Sequence, residues 1–516
     1  MRVPRILRVF LWFIAALLVL MGIASLALIY VPAPVERWLQ DRVLVALQQR
    51  YGPEIRLQNL QVQIVPVFRV TGDDFLLPNR GDGDLPPFVT IKHFTAQALP
   101  LELLRKPVHL SWVKLDGLVI HVPPKHAKSA EKVEAAPKRH TRLANFVIDR
   151  VDADGTDLFV LPKQAGRDPM EWDLHSLHLT SAGIGQAMRF TAELTNPKPP
   201  GLIRTTGSFG PWNMDTPSET EVSGHYEFRN ADLDVFNGIS GILSSVGDYT
   251  GVLQNIVIDG TTDTPDFKLD SGARAVHLTT KYHAIVDGTN GNTYLQPVDA
   301  HFLNSSVTAK GMVASQPGDK GKTVALDIDV HDAKVQDMLN LAASSKEPML
   351  TGDVATKAKL IIPPGKQKVL QKIQLAGIFH VQNARFGGSA DSTVAALSRR
   401  AQGKPDDQTI QSVASQLLGT FDLRDSVLKF SKLQFLIPGV NAQVRGSYGL
   451  ASGALDFAGE VRLQAHVSQT MTGAKRVLLK PVDPLLARHG AGTYLPVNVK
   501  GTREKPQIKL DLGKIF

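Results

Sequence analysis

The alternation of apolar and polar residues is the feature that most restricts the fold of this chain. In LDFAGEVRLQAHV, the side chains of Leu455, Phe457, Val461 and Leu463 fall on one side, with charged or amide side chains between them. Successive side chains of a β-strand point to opposite faces, so this run predicts a strand with one apolar face and one wet face. FVTIKHFTAQ and VHLTTKYHAIV alternate in the same way. We therefore expect a largely antiparallel sheet.

Glycine recurs inside or beside these alternating runs. It does so at Gly207, Gly224, Gly311, Gly377 and Gly446. Glycine weakens a regular strand, so its recurrence predicts places where the sheet bends or where the backbone passes close to a neighbour. A curved sheet with one apolar face accounts for all five. Its apolar side could line an open groove or pack as the core of a sandwich.

Two distant segments share one pattern. GTTDTPDFKLD at 260–270 and GTREKPQIKLD at 501–511 agree at Gly, Thr, Pro, Lys, Leu and Asp in the same register. A Gly-Thr turn, then Pro, then an alternating run predicts a strand end, a tight connection and a new strand. Shared turn chemistry is the alternative explanation. Repetition of this kind is typical of an extended, stacked sheet.

Helical periodicity is confined to short segments. The candidates are SGILSSVG at 240–247, STVAALSRRAQG at 392–403, TIQSVASQLLG at 409–419, and HVSQTMTGAKRVL followed by PVDPLLARHG within 466–490. We therefore expect a mainly β chain with a few short helices.

The N-terminus predicts a membrane anchor. Residues 9–31 read VFLWFIAALLVLMGIASLALIYV, a stretch of 23 residues without a charge, which is long enough to cross a bilayer as a helix. Three arginines in residues 1–8 predict that this end stays in the cytoplasm. A cleaved signal peptide is the alternative, but its apolar region is shorter and ends in a small-x-small site. We expect an uncleaved, single-pass anchor, with the body outside the cytoplasm.

An amphipathic helix is predicted directly after the anchor. Its apolar positions, spaced as on a helix, are Val35, Trp38, Leu39, Val43, Ala46 and Leu47. We expect this helix to cap the first strands; contact with the membrane surface is the alternative.

The net charge of +8 is concentrated in two segments. Residues 1–8 carry three positive charges and residues 123–142 carry a net four, so these segments account for seven of the eight. The second segment lacks an apolar period and predicts a flexible basic loop, either solvated or in contact with anionic lipid head groups. The remainder is nearly neutral and offers no continuous basic face. A nucleic-acid partner is therefore not expected.

Motifs of enzymes and metal sites are incomplete in this chain. QPGDKGKT at 316–323 has Gln at the first glycine position of a phosphate loop and precedes a strand-like run, so we predict a polar hairpin. DADGTD at 152–157 lacks the closing Glu of a calcium loop and predicts a β-turn. His175 and His178 would lie on opposite faces of a strand, and the chain has no Cys. We predict no catalytic, metal or cofactor residues and no enzyme activity.

Several short motifs occur in a fixed order between residues 56 and 122. They are Pro66 near the end of one strand, Pro87-Phe88-Val89, Leu103-Leu104 followed by Lys106, and Leu115-Asp116-Gly117-Leu118. With the anchor and the amphipathic helix, this order resembles the N-terminal region of AsmA-like proteins of bacterial envelopes. GSYGLASGALDFAGEVRL and PVNVKGTREKPQIKLDL resemble the closing strands of that family.

The resemblance implies an inner-membrane anchor and an elongated periplasmic β-rich body, related to TamB-like and other bridge-like lipid transfer proteins. The expected regions are 1–8 cytoplasmic, 9–31 transmembrane, 32–122 AsmA-like N-terminal, 123–142 basic loop, 143–270 middle β, and 271–516 AsmA-like C-terminal. The expected function is to assist phospholipid transport or outer-membrane assembly through an apolar groove. Leu455, Phe457, Val461 and Leu463 are the residues expected to face lipid. The alternative is a non-enzymatic scaffold that binds a protein partner in the envelope.

Overall fold

The fold is known from a computed structural model. It describes residues 56–63, 67–78, 86–87, 89–99, 108–122, 146–161, 169–183, 187–211, 217–270, 274–288, 290–315, 321–342, 349–365, 367–488 and 490–511. The predicted cytoplasmic segment 1–8, anchor 9–31, amphipathic helix and basic loop 123–142 lie outside these residues. No helix in the described ranges is long and apolar enough to cross a membrane.

The chain divides into two compact units. The first takes in the described residues up to Asp232, together with Ser244–Ile258 and Asp287–Asn290. The second comprises Leu233–Leu243, Asp259–Val286 and the chain from Gly291 onward.

The first unit is built on a sheet of consecutive strands. These are β1 Arg56–Gln63, β2 Phe68–Leu77, β3 Val89–Ala98, β4 Val108–Leu110, β5 Trp112–Val122, β6 Phe146–Val160, β7 Met170–Gly183, β8 Met188–Pro197, β9 Pro200–Phe209 and β10 Glu221–Asp232. The pairing order is β1–β2–β3–β5–β6–β7–β8–β9–β10. All of these pairs are antiparallel except β5–β6, which is parallel, as is the short pair β4–β6. A 3-10 helix, Pro217–Glu219, precedes β10.

The first strands of this unit bury a sealed apolar core. The alternation predicted for FVTIKHFTAQ is confirmed in β3, where every second side chain is buried along most of the strand. Phe68, Ile91 and Phe94 each expose 1% of their surface, and Val70 exposes 0%. Burial this complete stabilises a large side chain by roughly 1.5–3 kcal/mol.

Four strands follow β10 in the sequence. After a 3-10 helix, Leu233–Val235, come β11 Ile239–Ser240, β12 Ile242–Val252, β13 Asn255–Leu269 and β14 Val276–Asp287. The helix predicted at 240–247 is wrong, because Ser240 ends β11 and the residues from Ile242 onward form β12, whose burial alternates with period two. The turn predicted at Gly260 is also wrong, since 260–269 continues as β13. The strand predicted from VHLTTKYHAIV is confirmed as β14.

An antiparallel ladder of eleven strands forms the main body of the second unit. Its strands are β15 Asn292–Phe302, β16 Ser305–Ala314, β17 Thr323–Lys334, β18 Leu350–Ile362, β19 Gln374–Phe386, β20 Ser415–Arg424, β21 Val427–Ile437, β22 Val440–Gly449, β23 Ala454–Leu463, β24 Thr493–Thr502 and β25 Pro506–Leu510. Each strand pairs with the next one in the sequence. No pairing between described residues joins β25 to β15, so the ladder is open. The expected mainly β, largely antiparallel architecture is confirmed.

Short helices occupy the longer connections of this ladder. They are α1 Val335–Ala342, α2 Val369–Lys372, α3 Ser389–Ala401, α4 Ala474–Leu479 and α5 Asp483–Leu486, with 3-10 helices at Val467–Thr470 and Lys480–Val482. Neighbouring strands run in opposite directions, so the connections after β17, β19 and β23 leave from the same end of the ladder. We call this end, which carries α1, α3, α4 and α5, the capped end.

The helix predictions in this unit have mixed outcomes. Those at 392–403 and within 466–490 are confirmed by α3, α4 and α5. The helix predicted at 409–419 is wrong: Ser415 begins β20, which pairs on both sides with β19 and β21. The tight connection predicted at 501–511 is confirmed: Gly501 and Pro506 flank the turn between β24 and β25.

The recurrent glycines mark close approaches between strands. A Cβ atom added at Gly311, Gly377 or Gly446 would lie 2.0, 2.4 or 2.1 Å from a carbonyl oxygen of the neighbouring strand. Gly207 and Gly224 face each other across β9 and β10. No other residue fits at such distances without a shift of the backbone, so the predicted close approach is confirmed.

Candidate functional site

The ladder of the second unit has two chemically different faces. Residues paired directly across antiparallel strands lie on the same face of a sheet. Phe457 pairs with Gly446 on one side and Val499 on the other, and Phe430 pairs with Gly446 and Phe421. Taking the paired residue on each successive strand, from β23 towards β15 in one direction and β25 in the other, gives one row of residues across all eleven strands.

We call this row the central row. Its members, in strand order, are Val298, Ala309, Ile328, Ala358, Gly377, Phe421, Phe430, Gly446, Phe457, Val499 and Ile508. None of them carries a polar side-chain atom. The face that they share is called the apolar face below.

A parallel row lies one step further from the capped end. It consists of Leu295, Gly311, Leu326, Leu360, Leu375, Leu423, Leu428, Tyr448, Leu455, Gly501 and Pro506. No member is charged. The apolar face is therefore continuous in two dimensions, across the strands and along them.

The large side chains of the central row are not sealed from solvent. Phe421, Phe430 and Phe457 are each partly exposed, and Ile508 exposes 71% of its surface. The rings of Phe430 and Phe457 are 6.1 Å apart between centroids, so they touch each other across the strands. In the first unit, by contrast, Phe68 and Phe94 are almost completely buried.

The apolar face is closed at the capped end. Leu463 exposes 8% and belongs to a buried cluster with Ala401 of α3, Val413, Ile437 and Val440. A second buried cluster lies beneath α1, where Val335 packs with Val381 and Ala384 of β19. These two buried clusters stabilise the ladder and offer no surface to a ligand.

The four residues predicted to face lipid therefore share one face but not one environment. Leu463 lies inside the sealed cluster, and Val461 packs against it. Phe457 and Leu455 lie progressively further from the capped end and are partly exposed. Sequence analysis missed α1, although Val335, Met338, Leu339 and Ala342 recur at helical spacing and could have revealed it.

The opposite face of the ladder is charged and holds a cleft of about 1500 Å³. Five cationic and four anionic side chains line it, so its net charge nearly cancels. Lys357 lies 3.5 Å from Asp329, and Lys359 lies 3.9 Å from Asp327, across adjacent strands. Exposed pairs of this kind contribute little stability. The cleft does not favour a ligand of one charge. β23 contributes Asp456 and Ala458 to it, and six members of the central row also border it: Ile328, Ala358, Gly377, Phe421, Phe430 and Gly446.

In the first unit, Asp152 is the centre of a polar cluster on β6. The residue exposes 5% of its surface, and its carboxylate accepts hydrogen bonds from Trp112 Nε1 at 2.6 Å and Arg150 Nε at 2.9 Å, while His178 Nδ1 lies 2.7 Å away. Burial raises the pKa of Asp152, but these hydrogen bonds, from Arg150 first, outweigh it and lower the pKa to about 2. The carboxylate is thus held ionised by its neighbours.

The motifs weighed for metal and nucleotide chemistry lie in strands. The β-turn predicted at 152–157 is wrong, because β6 continues through it with Gly155 at φ +60°. His175 Nε2 contacts the Thr195 hydroxyl, so it does not converge with His178. Across the described parts of the chain, no group of three His, Asp or Glu residues could hold a metal ion. Residues 316–320 lie outside those parts, but β16 and β17 pair as the predicted hairpin requires.

No protein-family model, curated protein or solved structure matches the chain.

Proposed function

We propose that this chain is a non-enzymatic protein of the bacterial envelope that shields phospholipid acyl chains on the apolar face of its second unit. In this proposal, residues 9–31 anchor it in the inner membrane and the body lies in the periplasm. It thereby assists phospholipid transport or outer-membrane assembly. The observation that supports this function is the central row, which is apolar over eleven consecutive strands and partly exposed.

The dimensions of the row suit an acyl chain. Adjacent strands lie about 4.8 Å apart, so ten spacings give a path of about 48 Å along the row. One leaflet of a bilayer contributes about 15 Å of hydrocarbon, half of the whole core. The row is thus about three times as long as an acyl chain, and each CH₂ moved from water onto it gains about 0.8 kcal/mol.

A scaffold that binds a protein partner is the second candidate. The observation that favours it is the edge strand β25, whose Ile508 and Leu510 expose 71% and 49% of their surfaces. The described part of the chain places no strand on its outer side. Exposed strand edges accept an added strand from a partner, with backbone hydrogen bonds providing affinity.

Photo-crosslinking from two matched positions on β23 and one on β25 separates these functions. A photoreactive phenylalanine analogue replaces Phe457 on the apolar face, Ala458 on the charged face or Ile508 on the edge, one at a time, in the full chain in cells. We expect phospholipid adducts from position 457 and not from 458, identified by mass spectrometry of the β23 peptide. Protein adducts from 508 without lipid adducts from 457 would favour the scaffold and refute the lipid function.

A further inference from the structure

A basic segment with protruding apolar side chains lies at the capped end, apart from the apolar face. It spans residues 473–488 and includes α4 and α5; we call it the basic tip. Val477 and Leu478 expose 69% and 74% of their surfaces, and Leu485 exposes 46%. Side chains of this size are rarely so exposed next to one another unless they meet another surface.

The charges of the basic tip are predominantly positive. Lys475, Arg476, Lys480 and Arg488 are all exposed, and none of them forms an ion pair with a described residue. The single carboxylate is Asp483, which leaves a net charge of +3 for the segment. This carboxylate is already used, since it accepts hydrogen bonds from the Ser468 backbone N–H at 2.9 Å and hydroxyl at 2.6 Å.

These internal bonds hold the tip in its outward position. Asp483 connects α5 to the 3-10 helix Val467–Thr470, and the His466 N–H donates to Gln469 Oε1 at 3.0 Å at the start of that helix. Leu479 is half-buried on the inner side of α4, while Val477 and Leu478 point outward. The exposed side chains therefore belong to a fixed surface of the fold.

We propose that the basic tip docks on an anionic phospholipid surface. Val477 and Leu478 enter the boundary between head groups and acyl chains, and the four cations contact lipid phosphates. Basic helices with bulky apolar side chains bind membranes through this combination of apolar burial and charge attraction. The side chains protrude instead of lining a groove, which suits a deformable lipid surface. The docking does not require an acyl chain on the apolar face, so each proposal can fail alone.

The chain contains no Cys, so a single introduced Cys can carry a fluorescent label. Full-length protein held in phosphatidylcholine nanodiscs is labelled at Ala474→Cys in the tip. A matched sample is labelled at Ala451→Cys, in the exposed turn between β22 and β23 at the other end of the ladder. Each sample is titrated with vesicles of phosphatidylcholine alone or mixed with phosphatidylglycerol, both containing a nitroxide-labelled lipid that quenches the fluorophore on contact.

We expect quenching at position 474 with anionic vesicles only, and none at 451. Lys475→Gln, Arg476→Gln and Lys480→Gln should each raise the lipid concentration needed for half-maximal quenching about fivefold. Val477→Ser and Leu478→Ser should each raise it roughly tenfold. Lys429→Gln and Met349→Ser, at exposed positions elsewhere, serve as controls and should leave it unchanged.

Two kinds of result would overturn the proposal. One is the absence of quenching at 474 with either vesicle, which would leave the tip as a surface for a protein partner. The other is equal quenching with neutral and anionic vesicles, or variants of the tip that behave like the controls. All substituted positions are exposed, so an unchanged melting temperature will show that the variants are folded.

Discussion

Aspartate substitutions along β23 test whether the apolar face is open away from the capped end. Leu463 is 8% exposed in a sealed cluster, so Leu463→Asp loses its apolar burial and leaves a carboxylate without a partner. We expect a loss of about 5 kcal/mol or more in unfolding free energy. Phe457 is partly exposed, so Asp at 457 stays hydrated and the loss is limited to about 1–2 kcal/mol. Gln464→Asp, at an exposed position beside Leu463, should cost less than about 0.5 kcal/mol.

Lipid binding should be weakened more by Phe457→Asp than by Leu463→Asp, which is the reverse of their order in unfolding free energy. If acyl chains lie over Phe457, a carboxylate there displaces at least two CH₂ groups, which weakens binding by about 1.6 kcal/mol, or more than tenfold. The assay combines urea unfolding, followed by far-ultraviolet circular dichroism because all five Trp residues precede the second unit, with native mass spectrometry of co-purified phospholipid. An apolar face that is open at Phe457 is refuted if Phe457→Asp destabilises the protein as much as Leu463→Asp while lipid per folded molecule is unchanged.

Two further predictions concern the ladder and the Asp152 cluster. Gly446→Ala should cost about 2–3 kcal/mol, because its Cβ would lie 2.1 Å from the Asp456 carbonyl oxygen; Gly490→Ala, with no atom within 4 Å, should cost about 1 kcal/mol. Equal urea midpoints for both variants would contradict the close approach. The pKa of Asp152 falls from 3.8 to about 2 on folding, so its ionisation contributes about 2 kcal/mol above pH 4, which is lost as the pH drops through 2. The stability difference between wild type and Asp152→Asn should therefore shrink between about pH 4 and pH 2, and a constant difference in urea unfolding would argue against this origin.

The period-two pattern was enough to predict individual strands but not which residues pair. β3, β14 and β23 follow directly from alternation in the sequence. Residues 409–419 carry a weak helical period, yet the chain from Ser415 onward is held between two strands. Pairing on both sides satisfies every backbone group of such a segment, which outweighs a small helical preference.

The environment of the apolar residues could not be predicted from the same pattern. Phe94 in β3 and Phe457 in β23 occupy equivalent positions in alternating runs, but the first exposes 1% and the second is partly exposed. The difference depends on what lies across the face, and that is decided by residues distant in sequence. Leu463 illustrates the same limit within one strand, because α3 covers it and leaves Phe457 outside the cluster.

Along β23, the part near Leu463 stabilises the ladder, whereas the part near Phe457 offers an apolar surface. The clusters under α1 and α3 bury Val381, Val440 and Leu463, and they supply packing that needs no ligand. The central row keeps large apolar side chains in contact with water, which is unfavourable until another apolar group covers them. Polar substitutions in that row should therefore cost the empty protein little. Stability would then not require the nine apolar side chains of the row, whereas binding of an apolar ligand would; Gly377 and Gly446 are required in either case by the close approach of the neighbouring strands.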